Sequence, residues 1–377
     1  MVVTADPVPV AAHECPACGW PVEPDHNFCE ACRQDLTQAR ELMMREPVAQ
    51  EPVVQETVVR AVSGSAHGRA SACSFCPSAE VSADGYCQSC GRKLPSDRDH
   101  CELDLGLVAG VTDRGLRHSR NEDAMAFAVA RLVTGPMVVA AVCDGVSGSP
   151  RPDEASRAAA AALVQVTIER LRAGADAGDA GASAVESARK ELAVLAGSDP
   201  DSPAATYVTA VMTSQDVTLC WLGDSRAYWF GAGPAPAAQR LTTDDSGAAA
   251  MVEAGLVSEV EALVLPQAHV VTQWLGADLP DARPHVARFE PPGPGVLLLC
   301  TDGLWNYQPD AAGLAGLALP AALTDPLDAA ITLTKFALDA GGMDNVTVVL
   351  MPFPLAPPED VDPPDVEPGD TSLAGSG

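Results

Sequence analysis

The sequence predicts an α+β fold in which helices and antiparallel strands form separate layers. Apolar, β-branched runs come first, and two long helical stretches follow them. Later strand-like runs are separated by the tight turns at 213–216 and 223–225, which is typical of antiparallel pairing. This order of elements favours layers over a regular βαβ winding.

The main domain is predicted at 101–354, where strand and helix patterns follow one another. Strands are predicted near 105–112, 124–130, 136–143, 205–213, 216–223, 226–231, 269–274, 295–301 and 344–352. Helices are predicted near 152–173, 182–196, 246–254, 309–318 and 325–340. The tail at 355–377 is acidic and rich in proline, so we predict that it is disordered.

The composition limits the partners and the compartment. The chain has 377 residues and a formal net charge of −28, which argues against nucleic acid or an anionic membrane surface as the main partner. No apolar run approaches the roughly 20 residues that a membrane-spanning helix needs. Residues 1–10 also lack the basic and apolar regions of a signal peptide. We therefore predict a soluble cytoplasmic protein with no membrane partner and no nucleic acid partner.

Eight of the twelve cysteines form two copies of one module. Each copy has two Cys-x-x-Cys pairs separated by ten residues, and each cysteine of the second copy lies 58 residues after its counterpart. Four thiolates at this spacing indicate a closed tetrahedral zinc site. The modules resemble zinc ribbons, so we predict two structural Zn²⁺ ions in ribbons at 13–36 and 71–96, joined by a flexible linker at 37–70. The predicted ligands are Cys15, Cys18, Cys29, Cys32, Cys73, Cys76, Cys87 and Cys90.

Many zinc ribbons bind nucleic acid, and this alternative has to be weighed. The first module carries five carboxylates against Arg33 alone, and the second balances Glu80 and Asp84 against Arg92 and Lys93. Without a basic surface, the release of counterions cannot drive binding to nucleic acid. We therefore favour a protein-docking or purely structural role for the ribbons.

Four short acidic stretches, far apart in the sequence, indicate the chemistry. They contain Glu122 with Asp123, then Asp144, Asp302 and Asp344, and three of the four adjoin an apolar, β-branched run. Carboxylates on loops beside strand ends suit a hard cation such as Mg²⁺ or Mn²⁺. For any single stretch the alternative is a turn, because a glycine after an aspartate supplies a positive φ. Four such stretches in one domain favour a metal-dependent hydrolase.

The motifs also occur in a characteristic order. The chain contains Gly110-Val-Thr-Asp-Arg-Gly, Asn121-Glu-Asp, Cys143-Asp-Gly, Gly223-Asp-Ser-Arg, Leu299-Cys-Thr-Asp-Gly and Gly342-Met-Asp-Asn. In this order they resemble the type 2C metal-dependent protein serine/threonine phosphatases, the PPM family, over roughly 105–353. The resemblance implies a β-sandwich flanked by helix pairs in α-β-β-α layers.

The resemblance implies a role for each acidic residue. Asp144 would bridge two Mn²⁺ or Mg²⁺ ions, and Asp123 would orient a metal-bound water, while Asp224 and Asn345 would fix loops. The implied metal ligands are Glu122, Asp144, the carbonyl of Gly145, Asp302 and Asp344. Two metal ions about 3.5–4 Å apart supply hydroxide for in-line attack on a phosphoester.

The chain departs from the family pattern where substrate phosphate is bound. The family usually has an arginine at the position of His118, and this chain places Arg117 and Arg120 on either side of it. A bidentate arginine contact depends on geometry, so these neighbours are imperfect substitutes. The predicted catalytic residues are Asp123, Arg117 and His118.

Further departures concern a general acid and a third metal. Val146 stands where some relatives carry a histidine that acts as a general acid. Pro203 and Asn306 stand where many relatives have aspartates that bind a third metal ion. We therefore predict that the third metal site is weak or absent.

The leading hypothesis is a protein phosphatase that acts on phosphorylated serine and threonine side chains of proteins, with ribbons that dock a partner. The resemblance implies a serine/threonine kinase or its targets as partners. The alternative is a catalytically weakened phosphatase-fold module with a regulatory binding role, which His118, Pro203 and Asn306 favour. A third reading, a zinc-ribbon nucleic-acid binder with an acidic regulatory domain, is opposed by the acidic first ribbon.

Overall fold

The computed structural model describes residues 13–14, 21–22, 57–61, 87–89, 98–132, 135–197, 201–233, 237–262, 265 and 270–355. The chain divides into two units, Met1–Glu51 and Pro52–Gly377. In the first unit, strands β1 (His13–Glu14) and β2 (Pro21–Val22) pair antiparallel. Of the eight predicted zinc ligands, only Cys87 falls within the described residues, so the two ribbons stay a prediction.

The second unit contains two antiparallel sheets. One has the strand order β11-β10-β14-β15-β5-β4, and the other has the order β13-β9-β8-β7-β6-β3, with β12 paired to β8. The strands are β3 (Thr57–Ala61), β4 (His100–Asp104), β5 (Ala109–Asp113), β6 (Asp123–Leu132), β7 (Gly135–Gly145), β8 (Ala204–Met212), β9 (Val217–Leu222), β10 (Arg226–Gly231), β11 (Ala238–Arg240), β12 (Leu275–Gly276), β13 (His285–Phe289), β14 (Gly295–Cys300) and β15 (Val346–Phe353).

Helices cover the outer faces of both sheets. The described helices are α1 (Pro152–Arg172), α2 (Ala177–Ala196), α3 (Gly247–Glu253), α4 (Glu259–Ala262), α5 (Asp302–Trp305), α6 (Ala311–Ala322) and α7 (Pro326–Asp339). One apolar cluster joins α1 and α2 to the sheet that contains β7, and another joins α6 and α7 to the sheet that contains β15. A third cluster lies between the sheets. The predicted α-β-β-α layers are therefore confirmed.

The residue pattern of β6 explains this layering. Met125 and Phe127 belong to the core between the sheets, whereas Ala126 and Ala128 belong to the cluster beneath α1 and α2. Successive side chains of a strand point to opposite faces, so the large residues fill the sandwich and the alanines meet the helices. Small side chains on both partners let α1, which is itself rich in alanine, pack closely on the sheet.

Two predicted strands were wrong in detail. The stretch at 105–112 is not one strand, because a turn separates β4 from β5. In this turn the amide of Gly106 donates to Oδ1 of Asp104 at 2.7 Å, and Gly106 has a φ of +77°. At 269–274 the described residues form no strand apart from a bridge between Val271 and Ser246.

The structure also adds a strand within the predicted linker. Residues 57–61 form β3, which pairs antiparallel with β6 from Ala126 to Ala130. Val58 and Val59 are β-branched and therefore favour a strand. Their pairing also supplies hydrogen-bond partners for the backbone groups at an edge of β6 that would otherwise be unpaired. The rest of the predicted linker and the tail after Leu355 lie outside the described residues. Among the described helices, none is long and apolar enough to cross a membrane.

Candidate metal centre

Acidic residues from both sheets meet at one end of the sandwich. Asp123 opens β6 and lies opposite Asp144 of β7 in the strand register. Asp302 opens α5 two residues after the end of β14, and Asp344 lies two residues before β15. Because β14 and β15 are antiparallel neighbours, the end of one lies beside the start of the other. The four acidic motifs of the sequence thus share one site.

Buried hydroxyl groups fix Asp123 across the two sheets. Thr301 and Thr347 each donate from Oγ1 to Oδ2 of Asp123 at 2.8 Å. The amide of Thr347 donates in turn to Oγ1 of Thr301 at 3.0 Å. Since Asp123 and both threonines are buried, these bonds replace water around the carboxyl group. Contacts from the other sheet therefore fix Asp123 at its position opposite Asp144.

We call Asp123, Asp144 and Asp302 the floor of the centre. Burial raises the pKa of Asp123 to about 7, although its threonine partners oppose this shift. Burial, and then the charges of neighbouring aspartates, raise the pKa values of Asp144 and Asp302 well above their usual range. Carboxyl groups that lie close together and repel one another need a positive charge to stay ionised together.

One oxygen of the floor is left without a partner. Oδ1 of Asp302 is buried and accepts no hydrogen bond, whereas Oδ2 accepts one from Nδ2 of Asn306 at 3.1 Å. A buried carboxylate oxygen without a donor is costly unless a cation lies beside it. No three acidic, histidine or cysteine side chains of the described residues close around a common ion position. Mg²⁺ keeps several waters and needs only one or two carboxylates, so the residues present fit such an ion.

Glu122 and Gly145 lie at the side of the floor. Oε1 of Glu122 accepts from Nε of Arg120 at 2.7 Å, and Oε2 accepts from Oγ of Ser147 at 2.8 Å. The amide of Gly145 donates to the carbonyl oxygen of Glu122 at 3.1 Å. Arg120 also lies 3.7 Å from Asp153 at the start of α1. Its guanidinium group is therefore engaged by two carboxylates.

Two exposed loops, residues 114–120 and 341–344, form what we call the rim. His118 lies on one and Asp344 on the other, and Nε2 of His118 is 3.1 Å from Oδ1 of Asp344. These side chains are 31% and 44% exposed, and Arg117 is exposed beside them. The structure thus brings His118, one of the predicted catalytic residues, next to the predicted metal ligand Asp344.

Asn345 ties the rim to the floor. Its Nδ2 donates to the carbonyl oxygens of Arg114 and Arg120 at 2.7 and 3.1 Å, and its Oδ1 accepts from the amide of Glu122 at 2.7 Å. A Cβ at Gly303 would lie 1.9 Å from the carbonyl oxygen of Asn345. The loops that carry Glu122, Asp302 and Asp344 are therefore in direct contact, as the expected loop-fixing role of Asn345 requires.

Sequence analysis missed the support behind Asp302. The guanidinium group of Arg226 forms a two-pronged pair with Asp244, with distances of 2.9 and 2.6 Å, and lies 3.5 Å from the ring centre of Trp305. Nε1 of Trp305 donates to the carbonyl oxygen of Asp224 at 2.9 Å. These contacts hold α5, the helix that begins with Asp302. The Gly-Asp-Ser-Arg motif pointed to Arg226, but nothing in the sequence pointed to its partner Trp305.

Asp224 is a further buried acidic residue near the floor. Burial, and then the charge of Asp244, raise its pKa to about 7. Its charge also raises the pKa of Asp302 and Asp144. Sequence analysis assigned Asp224 only to loop fixing, which the bond from Trp305 to its main chain supports.

Comparisons with known proteins agree with the geometry. Residues 114–321 match the family model described as Protein phosphatase 2C. The serine/threonine protein phosphatase PstP of Mycobacterium tuberculosis is 30% identical over 248 residues, which are 64% of this chain and 44% of PstP. The chain thus spans less than half the length of that relative. The serine/threonine phosphatase stp of Listeria innocua is 29% identical over 253 residues, which are 64% of this chain and 93% of stp.

Solved structures show the same architecture. The PPM Ser-Thr phosphatase MsPP from Mycobacterium smegmatis, in complex with cacodylate, is 28% identical, with a TM-score of 0.53 and coverage of 66% of this chain and 99% of that chain. The catalytic domain of PstP in complex with 2 manganese ions is 24% identical, with a TM-score of 0.51. The match covers 64% of this chain and 96% of that chain.

Proposed function

The chain belongs to the protein phosphatase 2C family, and we propose on that premise that it is a metal-dependent serine/threonine protein phosphatase. The observation that carries the proposal is the buried, unpartnered Oδ1 of Asp302 among aspartates that repel one another. Such an arrangement is costly in an apolar setting and becomes favourable when cations are bound. The motif order and the two-manganese structure of the PstP catalytic domain support the same chemistry.

We assign the metal-holding residues from the floor and its neighbours. The residues that would hold two Mn²⁺ or Mg²⁺ ions are Glu122, Asp144, the carbonyl of Gly145, Asp302 and Asp344. When bound, the ions supply Lewis acidity and an activated water for attack on a phosphoester. Asp123 accepts hydrogen bonds from Thr301 and Thr347, which fix its carboxyl group where it would orient the attacking water.

We assign phosphate binding to Arg117 and His118 on the rim. Arg120 already contacts Glu122 and Asp153, which leaves Arg117 as the exposed arginine beside the centre. His118 lies against Asp344, where it donates to a phosphate oxygen once a substrate is present. A flexible arginine and a histidine replace one fixed arginine fork, so we expect weaker phosphate binding than a bidentate contact gives.

The test is phosphate release from a phosphothreonine peptide by the full chain with Mn²⁺, with Mg²⁺ or with a chelator. Asp302→Asn is the matched control, because an amide keeps the shape of the carboxyl group and removes its charge. Metal-dependent release that disappears in Asp302→Asn is the expected result. A folded protein that binds the peptide and releases no phosphate with either metal would contradict the proposal and establish a regulatory binding module.

We further propose that the eight paired cysteines hold two structural Zn²⁺ ions and that the ribbons dock a phosphorylated protein or its kinase. The 58-residue repeat and the Cys-x-x-Cys spacing support the zinc sites. Purified protein should contain two zinc ions per chain by elemental analysis. Cys18→Ser and Cys76→Ser should each remove one, and zinc-free protein with free thiols would contradict the assignment.

A further inference from the structure

Two apolar side chains stand exposed beside the metal centre. Leu116 is 65% exposed and Met343 is 60% exposed, one on each loop of the rim. The amide of Leu116 donates to the carbonyl oxygen of Gly342 at 2.8 Å. A Cβ at Gly342 would lie 2.7 Å from Cγ of Leu116, so the leucine side chain covers this glycine. The two loops thus place Leu116 next to the residue that precedes Met343.

Tyr307 supports this pair from a third loop. Its hydroxyl oxygen accepts a hydrogen bond from the amide of Met343 at 2.8 Å. Tyr307 is partly buried and follows α5, the helix that begins with Asp302. We call Leu116, Tyr307 and Met343 the apolar patch. A single exposed leucine needs no explanation, but neighbouring apolar residues held by hydrogen bonds on three loops indicate a binding surface.

The position of the apolar patch limits what can cover it. Met343 directly precedes Asp344, and Leu116 lies two residues before His118, which contacts Asp344. A peptide advances about 3.3–3.6 Å per extended residue. A phosphorylated side chain that reaches His118 therefore brings the adjacent residues of its own chain over the apolar patch.

We propose that the apolar patch is a subsite for the residues that flank the phosphorylated serine or threonine, and that it selects substrates with apolar flanks. The inference deepens the proposed phosphatase function and rests on it. The charge of the protein acts in the same direction. The carboxylates of the metal centre and the net charge of −28 repel peptides that carry acidic residues beside the phosphorylated residue.

The experiment compares two labelled phosphothreonine peptides that differ only in the two residues beside the phosphothreonine, leucine in one and asparagine in the other. The small substrate p-nitrophenyl phosphate, which has no flanking residues, is the control substrate. The protein variants are Leu116→Asn and Met343→Gln, which keep side-chain size and remove apolar character. Val194→Thr, at a 76% exposed position of α2, is the matched control variant.

We expect the unsubstituted protein to favour the leucine peptide by roughly 5- to 20-fold in kcat/KM, with the difference mainly in KM. Leu116→Asn and Met343→Gln should each reduce this preference, while hydrolysis of p-nitrophenyl phosphate stays unchanged. Val194→Thr should retain the preference. Equal kcat/KM for both peptides, or a preference that survives both substitutions, would overturn the inference.

Peptide binding by fluorescence anisotropy separates this inference from the proposed function. An inactive protein that still binds the leucine peptide more tightly, and loses the difference in Leu116→Asn, would support the apolar patch and reject the phosphatase. An active protein that binds both peptides equally would reject the apolar patch alone.

Discussion

The floor of the metal centre is held by strand register and buried hydroxyls, whereas the rim, a few residues away, is carried by two exposed loops. Asp123 and Asp144 face each other across β6 and β7, and Thr301 and Thr347 fix Asp123 from the other sheet. On the rim, His118 and Asp344 contact each other in water. The rim therefore carries both a predicted metal ligand, Asp344, and the departure from the family motif at His118, and strand register fixes neither of them.

The strongest test of this contrast is Asp144→Asn in the floor. Removing one of several repelling carboxyl groups should raise the melting temperature of the metal-free protein, by about 2–4 °C per kcal/mol gained. Phosphate release should fall by roughly 10³-fold, because the amide cannot hold the charge of two ions. The rise in melting temperature on addition of Mn²⁺ should also shrink. A variant that is destabilised without metal would show that repulsion does not dominate the floor.

The second test removes the hydroxyls that fix Asp123. Thr301→Val and Thr347→Val keep side-chain shape, and each should lower the free energy of unfolding by about 1–3 kcal/mol, because a buried acceptor loses its donor. Thr334→Val is the control, since Oγ1 of Thr334 is buried without a partner. That change should be neutral or stabilising in urea unfolding. Equal losses in all three variants would mean that the hydroxyls matter only through packing.

The third test addresses the rim. Arg117→Gln should raise KM for a phosphopeptide by roughly 3- to 10-fold, because a charge-assisted phosphate contact is lost, with kcat little changed. His118→Arg, which restores the residue usual in the family, should lower KM. Arg131→Gln, at an exposed position near the far end of β6, is the control. A fall in kcat with unchanged KM in Arg117→Gln would place this arginine in the chemical step.

The smallest effect is expected at His100 on β4, which contacts Asp113 at the base of the rim loop 114–120. Its hydrogen bond with Asp113 is the main reason that its pKa rises from 6.5 to about 9, with Glu102 adding to the rise and burial opposing it. The folded pKa lies above the unfolded value, so the stabilisation is complete below about pH 6.5 and disappears as the pH rises through 9.

His100→Gln should therefore reduce the free energy of unfolding at pH 6 and have no effect above pH 10. The loss should stay below about 1 kcal/mol, because the side chain is 46% exposed to solvent. Urea unfolding at both pH values measures the difference, and NMR titration of the ring gives the pKa directly. A pKa near 6.5 would show that the contact with Asp113 does not persist in solution.

The layers and the floor were predictable because each depends on local signals. Apolar runs located β7, β14 and β15, and the aspartates next to them had to lie at their ends. The turn inside 105–112 was missed because Leu105 and Leu107 continue the apolar pattern through it. The short edge strand β13 was missed because none of its residues is fully buried and polar and apolar residues do not alternate regularly along it.

Contacts between distant segments were beyond reach of the sequence. Arg226 stacks on Trp305, which lies 79 positions further along the chain, and no sequence pattern around either residue predicts this contact. The pairing of β3 with β6 likewise depends on an edge that exists only after the sheet has formed. Such contacts are chosen by the assembled fold and not by local preference.

The close contact between Gly303 and Asn345 restricts which substitutions this position can accept. Any side chain there would collide with the carbonyl oxygen of Asn345, whether or not the protein turns over a substrate. A descendant that had lost its activity would still keep the glycine, while positions 302 and 344 would be released to vary. Within the Thr301-Asp302-Gly303 motif we therefore expect the aspartate to depend on the proposed metal chemistry, whereas the glycine depends only on the contact between the two loops.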